Sequence, residues 1–373
     1  MEDYWGGSVP WISAKSLKSF HVTDSEDRLT EAGARHGSRL VPSGTVLFVV
    51  RGMSLANEFR VGVARRAVAF NQDVRALVPH DDVIPEYLAH YLRASERSVL
   101  GLVDAASHGT TRLTSDRIES LPVPLPPLAE QRRIAEVLDQ ADALRAKRRA
   151  ALAQIDSLTQ AIFLEMFGDP GSNPLKWPEH EMEALIDGGP QNGLYKPASE
   201  YGSGVSILRI DAFYDGVVTG LHSLKRVRIT EPELALYALR TGDIVVNRVN
   251  SIEYLGKSAL IPPLAEPMVF ESNMMRISLR RDLVDSRWVI EFLQSPFIRG
   301  QLLNRAKRAV NQASVNQQDV KSLRLLVPPL DLQRSFAARA AAADKLKAVH
   351  RASLAQFDAL FASLQHRAFR GEL

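Results

Sequence analysis

The sequence predicts an α+β protein: two globular halves of mixed strand and helix, each followed by one long helix. Three observations carry this. A segment recurs at a fixed offset of 202 residues. The recurring segment holds no glycine or proline over residues 129–167 or 331–369. Short apolar runs bounded by glycines precede it in both halves.

The repeat opens at Pro126-Pro127-Leu128-Ala129-Glu130-Gln131-Arg132, matched by Pro328-Pro329-Leu330-Asp331-Leu332-Gln333-Arg334. It continues without a gap, with 18 identities over residues 126–167. Paired prolines cannot sit inside a helix, so they mark its start. The residues that follow are strong helix formers. Apolar spacings of 3, 4 and 7 place Ile134, Leu138, Leu152, Ile155 and Ile162 on one stripe, and Phe336, Leu354, Phe357 and Leu364 on the other. At about 1.5 Å per residue, some 38 residues span about 55 Å. A helix that long needs a partner, and its own copy is the obvious one.

The globular halves repeat more loosely. Thr45–Val50 and Asp243–Val246 each follow a glycine and read as buried strands. Val205–Ile210 is another strand, with Val9–Ile12 as its counterpart. Phe70–Asp73 echoes Phe270–Asn273, and Tyr87–Leu92 echoes Trp288–Leu293. Close copies suggest one job done twice; loose copies suggest a shared scaffold carrying different side chains. A duplicated structural protein whose halves drifted is the plainer alternative. The expected boundaries are 1–125, 126–167, 168–327 and 328–373.

Composition narrows the function. Hydrophobic residues make up 45% and charged residues 24% of 373, ordinary for a globular protein with a normal core. Net charge is +3, too small to indicate nucleic acid by itself. With no cysteine, thiolate metal sites and cysteine nucleophiles are excluded, and a reducing cytoplasm is the expected location. Neither a leader-like segment at Met1–Pro10 nor a membrane-length apolar run is present.

Catalytic patterns are missing. Leu255-Gly256-Lys257-Ser258 lacks the upstream glycine of a phosphate-binding loop, since position 251 is Ser251. His180-Glu181 has no second histidine at metal-ligand spacing. The Asn-Pro-Pro-Tyr type of methyltransferase motif, a Gly-rich cofactor loop and a nucleophile elbow are all absent. No catalytic residue, metal or bound cofactor is therefore expected.

Polar clusters on expected loops fit nucleic-acid contact better. Asn and Gln suit adenine edges, Arg suits guanine, and lysines suit phosphates. The first half offers Lys15, Arg51, Asn71, Gln72, Thr110, Thr111 and Arg112. The second offers Tyr195, Lys196, Arg209, Arg248, Asn250, Ser251, Tyr254, Lys257, Asn273, Asn311, Gln312, Asn316 and Gln317. A basic run at Arg145, Lys147, Arg148 and Arg149 recurs as Lys345, Lys347, His350 and Arg351. It reads as a solvated face or a contact with an acidic partner, or more sharply as a DNA-backbone contact.

Leu121–Ala135 resembles the central conserved region of type I restriction-modification specificity subunits. Gly7–Ser13, Phe70–Asp73 and Val246–Ser251 resemble segments of their target recognition domains. Ala313–Gln317 and the ending Ala368–Leu373 also fit, so the resemblance spans essentially the whole chain. It implies two α/β target recognition domains with small twisted sheets, joined by two long antiparallel coiled-coil helices. It further implies that each domain reads half of a split, asymmetric site in the major groove of double-stranded DNA. Two methyltransferase subunits and restriction/translocase subunits would be the protein partners, with S-adenosylmethionine and ATP only on them. A coiled-coil scaffold of a phage-defence complex that binds protein alone is the alternative. One departure stands out. About 30 residues separate Phe167 from the strand at Val205, but only eight precede Val9, so the first domain is expected to lack an opening segment.

Overall fold

The structure, a computed structural model, describes residues 4–105, 111–310 and 312–373. Two compact units divide the chain. The first comprises Met1–Ala151 with His350–Leu373, and the second Leu152–Val349. Each long helix therefore gives one stretch to each unit.

The strand Val46–Val49 shows why these glycine-bounded runs are apolar throughout. Side chains alternate across a strand. Val46 and Phe48 face the helix Pro85–Ala94, packing with Leu88 and Leu92. Leu47 and Val49 face the other way, against Ile12, Val68 and Val74. With both faces covered, no position is left for a polar side chain. The strand sits in a four-stranded sheet, between Val61–Ala64 and Val74–Leu77, with His21–Val22 at the far edge. A second sheet orders Arg28–Leu29, Trp5–Ile12, Val68–Phe70 and Arg39–Val41.

The second unit repeats this plan. Ile244–Asn247 lies between Ser258–Leu260 and Met274–Leu279. Ile244 and Val246 pack with Trp288 and Phe292, while Val245 packs with Leu208 and Phe270. Tyr201–Leu208 runs parallel to Met268–Phe270, as Trp5–Ile12 does to Val68–Phe70. The sheet of Ile244–Asn247 has six strands, because Ile186–Asn192 adds to the Met274–Leu279 edge, and Gly216–Val218 followed by Phe213–Tyr214 to the Ser258–Leu260 edge. Among the described residues of the first unit, Val74–Leu77 has no such outer neighbour.

The long helices run Leu128–Phe167 and Leu330–Ala368. The glutamine of the repeated motif fixes how each one starts. Gln131, 1% exposed, accepts from the Ile84 N–H at 2.9 Å and donates to the Asp82 and Pro126 carbonyls at 3.0 and 2.9 Å. Gln333, 0% exposed, accepts from the Asp285 N–H at 2.9 Å and donates to the Pro328 and Leu283 carbonyls at 2.8 and 3.5 Å. One amide thus satisfies the loop entering the helix Pro85–Ala94 or Ser286–Leu293 and the carbonyl before the second proline.

Within each unit the two long helices pack antiparallel. In the first, Ile134 and Leu138 cluster with Phe361, Ala368 and Tyr87. In the second, Phe163 and Phe167 cluster with Phe336, Ala340 and Trp288. Of the expected stripe, Ile134, Leu138, Ile155 and Phe336 are buried. Leu152, Ile162, Leu354, Phe357 and Leu364 are only half-buried. The apolar seam is interrupted where part of the basic run bonds within the helix pair, while Lys147, Lys345 and Arg351 stay exposed. Arg145 binds Asp358 at 2.6 Å with its guanidinium 4.2 Å from the Phe361 ring, and Arg149 reaches Asp358 at 3.0 Å. Lys347 pairs with Asp156, the same bond at an offset of 202. Arg148 donates to His350 at 3.0 Å. These cations answer helix carboxylates and a histidine, so for this part of the run the acidic contact lies within the helix pair.

Candidate nucleic-acid interface

In both units the parallel strand pair and the central strand end at one rim, and the same backbone bonds build it. The Asn71 N–H donates to the Ile12 carbonyl at 3.0 Å; the Glu271 N–H donates to Leu208 at 3.0 Å. The Val50 N–H donates to Asp73 at 2.8 Å; the Arg248 N–H donates to Asn273 at 2.8 Å. Leu113 N–H bonds the Val50 carbonyl at 2.9 Å; Val315 N–H bonds that of Arg248 at 3.0 Å. Beyond the rim lies a three-stranded ribbon. It pairs Arg51–Gly52 with Thr111–Arg112 and Asp104–Ala105 in the first unit, and Val249–Asn250 with Ala313–Ser314 and Lys307–Arg308 in the second. Polar clusters far apart in sequence are thereby brought together.

The side chains on this common frame differ. In the second unit the Ile210 N–H donates to Glu271 Oε1 at 2.6 Å, and Arg209 lies 3.4 Å from the same carboxylate. Lys257 donates to the Ile210 carbonyl at 2.6 Å, with its ammonium 3.9 Å from the Tyr214 ring and 5.6 Å from that of Tyr254. Burial holds the Lys257 ammonium below the usual lysine range, and Asp211 and Asp215 partly oppose this. Arg248 donates to the Ser272 carbonyl at 3.2 Å, and Asn250 caps the Ser251 N–H at 2.8 Å. Asn247 is fully buried, and neither of its amide atoms has a partner among the described residues. In the first unit the matching strand end is Val49 and Val50, both apolar. There Asn71 bonds Asp73 at 3.1 Å.

Lys15, Arg51, Gln72, Arg112, Tyr195, Tyr254, Gln312 and Gln317 are exposed. Thr111 is half-buried and bonds the Gly52 carbonyl at 2.8 Å. Lys196 is held by Glu233 at 2.8 Å, so its charge is already answered. Asn316 caps the helix Gln317–Lys321, accepting from the Asp319 N–H at 3.0 Å. Asn273 uses its carbonyl to hold Arg248. Thr110 and Asn311 lie outside the described residues. Lys307 and Arg308, exposed on the ribbon, were not singled out from sequence; a basic pair at a helix end carries no distinguishing signal until its strand partner is known. Among the described residues no His, Asp or Glu cluster could hold a metal ion. Among the described residues no helix is long and apolar enough to cross a membrane.

Residues 2–155 match the family described as the type I restriction modification DNA specificity domain. The specificity subunit of the Escherichia coli EcoR124I/EcoR124II type I restriction enzyme is 31% identical over 144 residues, 38% of this chain and 36% of that protein. The EcoKI specificity subunit of E. coli K12 is 27% identical over 316 residues, 80% of this chain and 67% of that protein. The chain is thus similar to type I restriction specificity subunits. It spans about a third of the first relative and two thirds of the second. The fold of a type I specificity subunit from M. genitalium covers 98% of this chain and 94% of that one, with a TM-score of 0.58 at 11% identity. A chain from a structure on complex assembly and conformational transition of a type I restriction-modification system covers 99% and 92%, with a TM-score of 0.57 at 17% identity. Both structures share the fold of this chain.

Proposed function

We propose that the chain is a non-catalytic specificity subunit that reads a split, asymmetric site in double-stranded DNA, one half per unit, and docks methyltransferase and restriction subunits. The observation that carries this is the duplicated rim. The backbone bonds are copied between units while several of the side chains on them are not. A frame that positions loops identically, yet presents Asn247, Arg209 and Arg248 in one copy where the other has Val49, Ser13 and Val50, suits two readers of different sequence. S-adenosylmethionine and ATP would be bound by the partners, and the methyl transfer would be theirs.

The test is reconstitution with the cognate methyltransferase subunit, followed by mapping of methylated adenines on mixed-sequence DNA. One bipartite motif is expected. Methylation regardless of sequence would refute the reading, and methyl transfer by the chain alone would refute the non-catalytic part.

A further inference from the structure

Large apolar side chains left in solvent are scattered over most protein surfaces, and singly they mean little. Here the most exposed ones are not scattered. Among the described residues they are Val310 at 99%, Tyr195 at 79% and Met53 at 75%. All three stand at the two rims, and the fold holds each one there.

Val310 occupies the tip of the ribbon in the second unit. Lys307 pairs with Ser314 and Arg308 with Ala313, and the Ala309 N–H donates to the Gln312 carbonyl at 2.7 Å. The chain reverses between those last two residues. Turn chemistry favours Gly, Asn, Asp, Pro or Ser at such a place. A fully exposed β-branched side chain packs against nothing, so the fold itself gives no reason for a valine. Tyr195 is set beside Glu271. The Leu194 N–H donates to the Phe270 carbonyl at 2.8 Å, and Gly193 lies so close that a Cβ on it would stand 2.2 Å from the Glu271 carbonyl. Met53 follows the ribbon strand Arg51–Gly52 of the first unit, where the Thr111 hydroxyl holds the Gly52 carbonyl at 2.8 Å. In the turn Met53–Ala56 it is Leu55 that is buried, so the core makes no demand on Met53.

The neighbours say what covers these side chains. Lys307 and Arg308 lead into Val310, and Arg51 lies directly opposite Arg112 just before Met53. All four cations are exposed, and none is in an ion pair among the described residues. Like charges opposed across a strand pair are destabilising, an arrangement that an anion relieves. A double helix supplies the anion as phosphate. In its major groove it also offers one apolar group, the C5 methyl of thymine.

We propose that Val310 in the second unit and Met53 in the first read thymine through that methyl group, each fixing a thymine–adenine pair in its own half of the target. The inference rests on the DNA-reading function proposed above and adds a readout that hydrogen bonding cannot supply. The shared bonds to Val50 and Arg248 align Met53 with Ser251, so the first unit carries its methyl reader where the second has a hydroxyl.

The test uses the full chain reconstituted with its methyltransferase subunit, once the bipartite motif has been mapped. Duplexes carrying the motif are made with each thymine in turn replaced by uracil, which removes the methyl and nothing else. One such uracil in each half should weaken binding roughly fourfold. Val310→Ala should lose a similar factor on the thymine duplex and nothing further on the uracil duplex of its half, the coupling that marks a direct contact. Met53→Ala should do the same in the other half. Val310→Asn, suited to the turn, should melt no lower than the parent yet bind as weakly as Val310→Ala, which separates contact from folding. Tyr195→Ser, which removes the neighbouring ring, should leave the uracil effect in place. A bipartite motif whose uracil duplexes all bind like the parent, or a half-site without thymine, would overturn this inference and leave the DNA-reading function standing. So would a uracil effect that persists in Val310→Ala and Met53→Ala, or one that vanishes in Tyr195→Ser instead. The absence of any bipartite motif would overturn both.

Discussion

Replacing Gln131 with alanine should open the junction between the first long helix and its unit, and the size of the effect follows from the bonds lost. The side chain is 1% exposed, so water does not readily take its place. The Ile84 N–H loses its acceptor, which costs about 1–3 kcal/mol for a buried donor. The Asp82 and Pro126 carbonyls each lose a donor, about 0.5–1.5 kcal/mol apiece. The sum is about 4 kcal/mol, or roughly a thousandfold in the opening equilibrium. Hydrogen–deuterium exchange at the Ile84 amide reads this directly, and the Asp285 amide, held by Gln333, is the internal control. Gln131→Glu separates chemistry from shape. One carboxylate oxygen can keep the Ile84 bond, but the other faces two carbonyl oxygens and is repelled unless protonated. Its folded pKa is thus raised. The variant's stability is present below the unfolded value of about 4.3 and is lost as pH rises through the folded one. Unchanged exchange at Ile84 in Gln131→Ala, or a Gln131→Glu chain as stable as the parent at neutral pH, would refute the reasoning.

Two further outcomes are expected. His90 is fully buried, stacked 4.1 Å from Phe20, and bonded to Asp139, with Arg93 and Asp142 nearby; burial holds it below the ordinary 6.5. The unfolded chain therefore takes up the proton first, and stability should fall as pH drops below about 6.5. Melting curves from pH 7.5 to 5 should show this, with a shallower slope in His90→Gln; an equal slope would count against it. Lys307→Gln with Arg308→Gln should weaken binding to specific and random DNA alike and reduce the salt dependence by about 1.8 in log–log slope, from about 0.9 per phosphate contact. An unchanged slope would remove the ribbon from the interface.

The parts of the fold that could be read from sequence are those set by local rules. Paired prolines and the glycine-free stretch placed the long helices, and the fixed offset showed the duplication. The role of Gln131 could not be read, because its partner Ile84 lies 47 residues away and offers only a backbone N–H. Phe163 and Phe361 escaped the stripe because their repeat counterparts are Gln365 and Thr159, so the two ends of the pair are not packed by the same residues. At the rim, residue type pointed to segments that the fold does bring together, yet several chosen side chains hold the rim itself together. Lys257 is an example: its hydrogen bond goes to a carbonyl 47 residues earlier, and no spacing rule encodes that.

The central claim is that a copied frame carries two different readers. It is tested most directly by mapping methylated adenines with the reconstituted complex, comparing the parent chain with Arg51→Gln/Arg112→Gln in the first unit and Arg248→Gln/Asn250→Ala in the second. The account predicts that each pair relaxes or shifts one half of a bipartite motif and leaves the other half intact. Changes in both halves from either pair, or an unaltered motif from both, would contradict it.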